Sequence, residues 1–430
     1  MSEKAILISE YNNLSDAQKK FYFSKDEEVE SRFFYKPRKI SWYTSIQLPL
    51  LMQKEGNYYV YTADNNFHLL KSTCLIWKTP LISVKEEYRS KVQICWVKNL
   101  GISMIKEAGL YIGDKKIQNL DSFCYCIHHK YLMKDIEKRV ILSKMIGNIK
   151  KLTQWSTSLE QRVILLNQPW FYSKSEVSAF PLLLFDKKRL RHKYLFRDRV
   201  HDLLRMRTLV SEQPITWKEL PEINLSYLDV EQDIISPPEM LGNYAMLSEE
   251  EYEYRKTEKM SYYINDFIKL TEETPKKSNE FISLDISISE PTQCLFFVSE
   301  NLSHKKSYTE FHDRETFKSP FSTVKLIYGT EEKITEKDVK TLDYLESFYN
   351  FNQLSETIYR GLHAISFCND IYSIDADTSI CFKNLSAKII LRLRDNIQDI
   401  FRIRFYFYIL KRLDIERDEI PQNRNSALGK

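Results

Sequence analysis

Between residues 41 and 120 short apolar runs alternate with polar breaks, and the alternation predicts strands from Trp42 to Leu51, Tyr58 to Thr62, Phe67 to Trp77, Val92 to Val97 and Ile102 to Ile112. The breaks are too short to hold crossover helices, so neighbouring strands are expected to run antiparallel. Asn99-Leu100-Gly101 breaks one strand from the next, and Gly113-Asp114 starts a turn into Lys115-Lys116-Ile117. From Asp121 to Thr153 the spacing changes to a helical one, with Tyr131, Ile136, Val140, Met145 and Ile149 as the expected apolar face.

Beyond this lies an aromatic passage, Gln168-Pro169-Trp170-Phe171-Tyr172, followed by a polar turn and then Ala179-Phe180-Pro181-Leu182 leading into a strand. A basic run begins at Lys187 and Lys188 and continues through Arg189, Arg191, Arg197, Arg199, Arg205 and Arg207. Apolar residues interrupt it at Leu190, Tyr194, Leu195, Val200, Leu203 and Leu204, the pattern of an element half-buried on one side. Residues 211–240 carry Pro214, Pro221, Pro237 and Pro238 and read as a linker. An apolar strand at Leu241 to Leu247 leads to an acidic turn. Strands at Ile389 to Leu393 and Ile403 to Leu410 close the pattern.

Composition narrows the class. A chain of 430 residues exceeds what one hydrophobic core usually serves, so two compact units are expected. With 27 Tyr and 24 Phe the chain favours pleated surfaces, and with 9 Gly its turns must rely on Asn, Asp, Ser and Pro. The net charge of +4 does not argue for nucleic acid, because phosphate affinity comes from clustered cations. No apolar run approaches the ~20 residues of a membrane span, and the first ten residues lack a secretion-signal pattern. Seven cysteines without framework spacing imply reduced thiols.

Candidate chemistry is sparse. On an extended strand Cys124, Cys126 and His128 would project from one face and could converge on a metal, although buried core thiols are the plainer reading. Asp370, Asp375 and Asp377, with His363 and Asn369 upstream, could form an acid/base or Mg²⁺ loop but are equally ordinary turn residues. No phosphate-binding glycine loop, dinucleotide turn or nucleophile elbow is present, so no catalytic residue and no cofactor is assigned.

Four passages, in order, carry a resemblance. Trp96, Asn99, Gly101, Ile112 and Gly113 fit a Trp-bearing strand, an Asn-x-Gly turn, an apolar strand and an Ile-Gly turn. The aromatic passage at Pro169, Trp170, Phe171 and Pro181 follows. Tyr244, Leu247, Glu250 and Glu251, then Tyr262-Tyr263-Ile264, come third, and Phe367 marks a late Ser-Phe strand. Together they resemble the double jelly-roll major capsid proteins of eukaryotic double-stranded DNA viruses, the nucleocytoplasmic large DNA virus type, in a divergent and short form. Where that family has Pro-Ser-Gly before Asn-Phe-Ser-Arg, this chain has Asp377-Thr378-Ser379 and Phe382-Lys383-Asn384.

The resemblance implies an all-β chain of two tandem antiparallel jelly-roll barrels with short helical insertions. The expected division is an arm over 1–40, a first barrel over 41–210, a linker over 211–239, a second barrel over 240–415 and a flexible tail over 416–430. It implies a non-enzymatic capsid protein of the virion, passing through the host cytoplasm during assembly. The protein would trimerise into pseudo-hexagonal capsomers that tile a shell. Its partners would be itself, minor capsid proteins or inner-membrane proteins, with no specific nucleic acid. Structural or assembly roles fall to Trp96, Asn99, Gly101, Pro169, Trp170, Phe171, Pro181, Arg189, Arg191, Tyr244 and Phe367, with the stretch from Lys187 to Arg207 as an edge making subunit contacts. A β-sandwich that binds carbohydrate or protein, or a scaffold that shapes a membrane, is the alternative, because jelly rolls serve several functions.

Overall fold

The computed structural model describes residues 42–415, apart from 176–177, 186–188, 231–232, 258–259, 273, 352–358, 373–378 and 384. The expected arm and tail, Lys187, Lys188, Asp375 and Asp377 lie outside the described residues.

The first half contains sixteen described strands. They are β1 (Trp42–Pro49), β2 (Leu51–Glu55), β3 (Tyr58–Thr62), β4 (Leu69–Lys78), β5 (Ile82–Val84), β6 (Val92–Trp96), β7 (Ile105–Ile112) and β8 (Lys115–Asp121), then β9 (Ser158–Leu159), β10 (Val163–Asn167), β11 (Phe180–Pro181), β12 (Leu190–Phe196), β13 (Leu204–Glu212), β14 (Ile215–Glu219), β15 (Leu228–Asp229) and β16 (Glu239–Leu247). One main sheet has the order β1-β16-β4-β10, with β11 against β4, and the other has the order β2-β3-β12-β7-β8. The second half follows with β17 (Met260–Thr271), β18 (Phe281–Ile286), β19 (Thr292–Asn301), β20 (Phe321–Tyr328), β21 (Glu331–Asp338), β22 (Leu362–Ser366), β23 (Ala387–Leu393) and β24 (Phe401–Ile415). Its sheets have the orders β17-β24-β19-β22 and β18-β23-β20-β21.

Ranked one to eight in chain order, the strands of the second half pair as 1-8-3-6 and 2-7-4-5, the connectivity of a jelly roll. The first half repeats it with β1, β3, β4, β7, β8, β10, β12 and β16 as the eight strands. All the pairings are antiparallel. The chain is thus two jelly rolls in tandem.

This topology moves the boundary expected at residue 240. Strand β16 pairs with β1 through Gly242 opposite Leu48 and with β4 through Gly242 opposite Thr73, so it is the eighth strand of the first barrel. The second barrel begins at β17, after a helix at Glu249–Thr257 where an acidic turn was expected. Residues 211–239 are not a free linker: β14 pairs with β13, and β15 pairs with β5. The prolines gave a correct sign of irregular backbone, but strand partnership is set by residues far away in the chain. Three long connections of the first barrel, 79–104, 122–162 and 197–238, build two small sheets on each other, β14-β13-β6 and β15-β5-β9.

Two other local expectations change. The segment from Ile102 to Ile112 opens as a helical turn at Leu100–Ser103 before β7, because Asn99 adopts the left-handed conformation (φ 48°) that short amide side chains tolerate. The segment from Asp121 to Thr153 is helical but broken, with helices at Ser122–Ile127, Ile136–Met145 and Lys150–Thr153 and a wide turn at His128–Leu132. These pieces share no single face. Tyr131 is buried, whereas Ile136 and Val140 are exposed and the helix Ile136–Met145 turns Arg139 and Leu142 inward.

The second barrel has a core of its own, and one of its sheets also serves the first. In β19, Leu295 and Phe297 join the core with Ile389, Leu391 and Phe407. The alternate residues Cys294, Phe296 and Val298 join the large cluster centred on the first barrel, as do Tyr406 and Tyr408 of β24. Side chains alternate across a strand, so the sheet β17-β24-β19-β22 is apolar on both faces. Against its outer face lies the segment Ser122–Leu132, with the Phe123 ring 5.6 Å from Phe311 and the Tyr131 ring 5.5 Å from Phe296. Polar contacts add to this joint. Asn99 Nδ2 donates to Thr309 Oγ1 at 3.1 Å, Lys98 meets Glu310 at 2.6 Å, and Arg314 meets Glu219 at 3.4 Å. Glu219 in turn takes a two-pronged contact from Arg205 at 2.7 Å.

Candidate assembly surfaces and the barrel interior

The aromatic passage is folded into the first barrel. Trp170, Phe171, Phe180 and Pro181 are buried and Pro169 is half-buried. Proline fixes the backbone on either side of the turn, and β11 hydrogen-bonds to the start of β4 at Phe180 opposite Leu70. The Phe171 ring packs edge-on against Phe180 at 6.2 Å and against Tyr262 of the second barrel at 5.7 Å.

Under this passage runs a polar chain for which the sequence offered no pattern. Gln168 Oε1 accepts from the hydroxyls of Tyr125 (2.5 Å) and Tyr194 (2.6 Å), and its Nε2 donates to the Leu166 carbonyl at 2.8 Å. Beside it, Tyr172 Oη lies 2.6 Å from His192 Nε2 and 3.0 Å from Thr73 Oγ1. His192 Nδ1 faces the Tyr61 carbonyl at 3.4 Å, so the neutral ring donates there and accepts from Tyr172. Burial lowers the His192 pKa to about 3, which keeps the ring neutral. A satisfied buried network fixes one arrangement of the strands that carry it. The only sequence signal was Gln168 beside Pro169 in an otherwise apolar region.

Cys124, Cys126 and His128 are on a helix and the turn after it, not on a strand, so residues two apart do not share a face. Burial raises both thiol pKa values well above normal and lowers that of His128 to about 4. Among the described residues no group of three or more His, Cys, Asp or Glu side chains gathers as a metal site would require. The segment instead joins the barrels. His129 Nδ1 lies 2.9 Å from Tyr359 Oη, and Lys130 Nζ and Tyr131 Oη both donate to the Leu362 carbonyl, at 2.6 and 3.0 Å.

The basic stretch is mostly engaged inside the chain. Strand β12 lies between β3 and β7 and is not an edge. Arg191 donates to the Gly113 carbonyl at 2.6 Å and meets Asp114 at 2.9 Å. Arg197 donates to the carbonyls of Ser103 and Ile105 at 2.7 and 2.8 Å, and Arg207 lies over Trp155 and Trp217. Arg189 is exposed.

The remaining candidates are built into packing. Trp96 and Tyr244 are fully buried, Tyr244 Oη accepting from Asp64 N at 3.2 Å. A side chain at Gly101 would press on Ile164 at 3.2 Å and on the Ile146 backbone at 3.3 Å. Phe367 packs against Phe382 at 5.5 Å. His363, Asp343 and Ser319 form a relay, with Ser319 Oγ 2.8 Å from Nε2 and Asp343 Oδ1 2.8 Å from Nδ1. Its geometry suits a nucleophile. The relay ties the connection before β20 to β22 and to the helix Val339–Glu346.

One kind of surface recurs in both barrels. The connection between the fifth and sixth strands carries a helix in each, Ile136–Met145 in the first and Val339–Glu346 in the second. The first exposes Ile136, Val140 and Ile141, and the second, with the turn that follows it, exposes Tyr344, Leu345, Phe348 and Tyr349. Sequence periodicity had placed Ile136 and Val140 inside. Apolar residues grouped on a surface mark interaction sites.

These features define a double-barrel jelly-roll protein. Residues 33–232 match the family model described as "Major capsid protein N-terminus". The fold is shared with the PBCV-1 protein VP54, at 11% identity and a TM-score of 0.67 over 89% of this chain and 97% of that one. It is shared equally with the Faustovirus major capsid protein, at 8% identity and a TM-score of 0.68 over 89% and 92%. Comparison with curated proteins by sequence gives no match. The fold is thus that of the double jelly-roll capsid proteins, and within it residues 33–232 are similar in sequence to the major capsid protein N-terminal region.

Proposed function

We propose that three copies of the chain associate into a pseudo-hexagonal capsomer and that these capsomers tile the shell of a virus of the nucleocytoplasmic large DNA type, assembling in the host cytoplasm. The single observation that carries this reading is the repeated 1-8-3-6 and 2-7-4-5 connectivity in one chain. Three such chains bring six similar barrels into a ring, and a near-hexagonal outline tiles a lattice.

A second observation supports the ring. The two exposed apolar helices occupy the same topological position in their barrels, so a three-fold assembly presents six similar apolar faces, each able to meet a neighbouring barrel. In this reading the packed candidates, Trp96, Asn99, Gly101, Pro169, Trp170, Phe171, Pro181, Tyr244 and Phe367, act by shaping the barrels, and Arg189, exposed beside the start of β12, is a cation available for contacts between chains. Minor capsid or inner-membrane proteins are its further partners.

Sedimentation equilibrium of the purified chain tests the proposal. The expected mass is three times 51.4 kDa. A monomer throughout the micromolar to tens-of-micromolar range would overturn it and bring forward the binding-module or membrane-scaffold alternative.

A further inference from the structure

The joint within the chain is made by two unlike surfaces. The first barrel contributes β8 and the segment Ser122–Leu132, and the second contributes β17 and the outer face of the sheet β17-β24-β19-β22. Gln118 Nε2 of β8 donates to the Asn265 carbonyl of β17 at 2.7 Å, and Lys269 of β17 meets Asp121 at the end of β8 at 3.1 Å. Among the described residues, a contact between unlike surfaces leaves one of each kind over: the matching side of the second barrel and the matching sheet of the first.

Both of these surfaces repeat the structure of their counterparts, but exposed. In each barrel an aspartate at the end of the fifth strand caps the helix that follows. Asp121 accepts from Cys124 N ahead of Ser122–Ile127, and Asp338 accepts from Lys340 N and Thr341 N ahead of Val339–Glu346. Each helix lies against the fourth and fifth strands of its barrel and runs into a five-residue wide turn, His128–Leu132 or Ser347–Phe351. The helix Ile136–Met145 comes after this unit in the first barrel. The first turn buries Lys130 and Tyr131 against the second barrel, whereas the second leaves Phe348 77% and Tyr349 70% exposed.

The receiving sheet repeats as well. In β4 and β10 the inward residues Leu75, Trp77, Ile164 and Leu166 are buried, while on the other face Cys74, Ile76 and Leu165 are half-buried and Val163 is exposed. The edge strands differ in the same sense. Gln118 of β8 is buried and β21 has no buried residue; Tyr262 and Ile264 of β17 are buried and residues 44–47 of β1 are exposed. Val298 in β19 and Ile76 in β4 are each the last apolar position on the outer face of the third strand, and opposite them stand Leu362 and Leu165. Lys130, third in its turn, donates to the Leu362 carbonyl, and Tyr349 is third in the other turn.

We infer that the turn Ser347–Phe351 of each chain seats on the outer face of β4 and β10 in a second copy of the chain, Tyr349 against Leu165, so that the contact between chains copies the joint within one. This contact rests on the capsomer proposed above and says which surfaces build it. The occupant is a second copy because the two surfaces are of the kinds that the barrels already join within a chain. A head-to-tail contact of this sort closes into a ring when its rotation divides the circle.

Disulfide trapping in the full chain tests the contact. Cys74→Ser and Cys381→Ser first remove the two thiols that are not buried. In that background Tyr349→Cys together with Leu165→Cys should give covalent dimers and trimers on oxidation, and neither cysteine alone should. Independently, Tyr349→Asp and Val163→Asp should each weaken association at least tenfold at an unchanged melting temperature. Ile215→Asp, at an apolar residue 71% exposed on β14, should leave association as it is. Sedimentation of the unmodified chain keeps this inference apart from the capsomer itself. Trimers that fail to cross-link through the pair, or that withstand Tyr349→Asp, overturn the contact and leave the capsomer standing; monomers overturn both.

Discussion

Lys130 Nζ donates to the carbonyl oxygen of Leu362 at 2.6 Å, placing a lysine that is 2% exposed across the joint between the two barrels. The same carbonyl accepts from Tyr131 Oη, and the ammonium lies 4.9 Å from the Tyr131 ring centre. Burial lowers the Lys130 pKa to about 8, and the carboxylate of Asp343 opposes the shift. The joint is therefore held by a cation that has lost most of its water.

From this follows a pH dependence. The unfolded lysine titrates near 10.4, so between pH 8 and about 10 the unfolded chain binds more protons than the folded one. Stability from this group therefore rises with pH across that window. Lys130→Met should stabilise the fold at pH 7 by about 1–2 kcal/mol, since an apolar side chain in place of a buried charge removes its desolvation cost. Tyr131 still serves the Leu362 carbonyl in that variant. Denaturant unfolding at pH 7 and pH 9.5 checks both points: the variant's advantage should shrink at the higher pH. A loss of stability at pH 7 would mean that the lysine's hydrogen bond outweighs its desolvation.

Trp170 tests the barrel interior. Its ring lies 5.9 Å from His192 and 6.3 Å from Tyr194, beside the hydrogen-bonded chain through Gln168. Trp170→Ala should cost about 3–5 kcal/mol, as large-to-small core changes do, and give insoluble or non-trimeric protein. Trp170→Phe should keep most of that stability. Thermal denaturation and sedimentation distinguish these outcomes from a surface role, in which even the alanine variant would remain soluble and assembled.

The strand pattern was readable because one face of most strands is wet: β3 was expected within its observed limits, and β12 alternates buried and half-buried positions from Leu190 to Phe196. Partnership was not readable. Nothing local in Glu239–Leu247 says that Gly242 pairs with Leu48 and Thr73, and the resemblance that marked Tyr244 as significant assigned it to the wrong barrel. The helical face failed at Ile136 and Val140, which are exposed because the helix Ile136–Met145 turns Arg139 and Leu142 inward instead. The aromatic passage was recognised, but its polar partners Gln168, His192, Tyr125 and Tyr194 come together from three separate parts of the chain, and no spacing rule reaches that far.

Arg189 and Arg191 should separate assembly from folding. Arg191 braces the β7–β8 turn through Gly113 and Asp114, so Arg191→Glu should cost about 1–2 kcal/mol of stability by losing charged hydrogen bonds. Arg189 is exposed, and Arg189→Glu should leave stability within about 0.5 kcal/mol while weakening self-association. Chemical denaturation and sedimentation of the two variants give the comparison. Unchanged association in Arg189→Glu would remove this cation from the contacts between chains.

The apolar helices provide the sharpest test of the six-barrel ring. Ile141 is 56% exposed on the first-barrel helix and Phe348 is 77% exposed after the second-barrel helix, so neither can contribute much to the fold of an isolated chain. Burying them against a neighbouring chain would each contribute about 1.5–3 kcal/mol to association. Ile141→Asp and Phe348→Asp should therefore leave monomer melting almost unchanged and shift the trimer to dissociated chains, whichever barrel carries the change. Equal effects from the two sites are the particular expectation, because a pseudo-six-fold ring uses both faces alike. Dissociation by one substitution with full assembly in the other would mean that the two barrels make different contacts and that the ring is three-fold only.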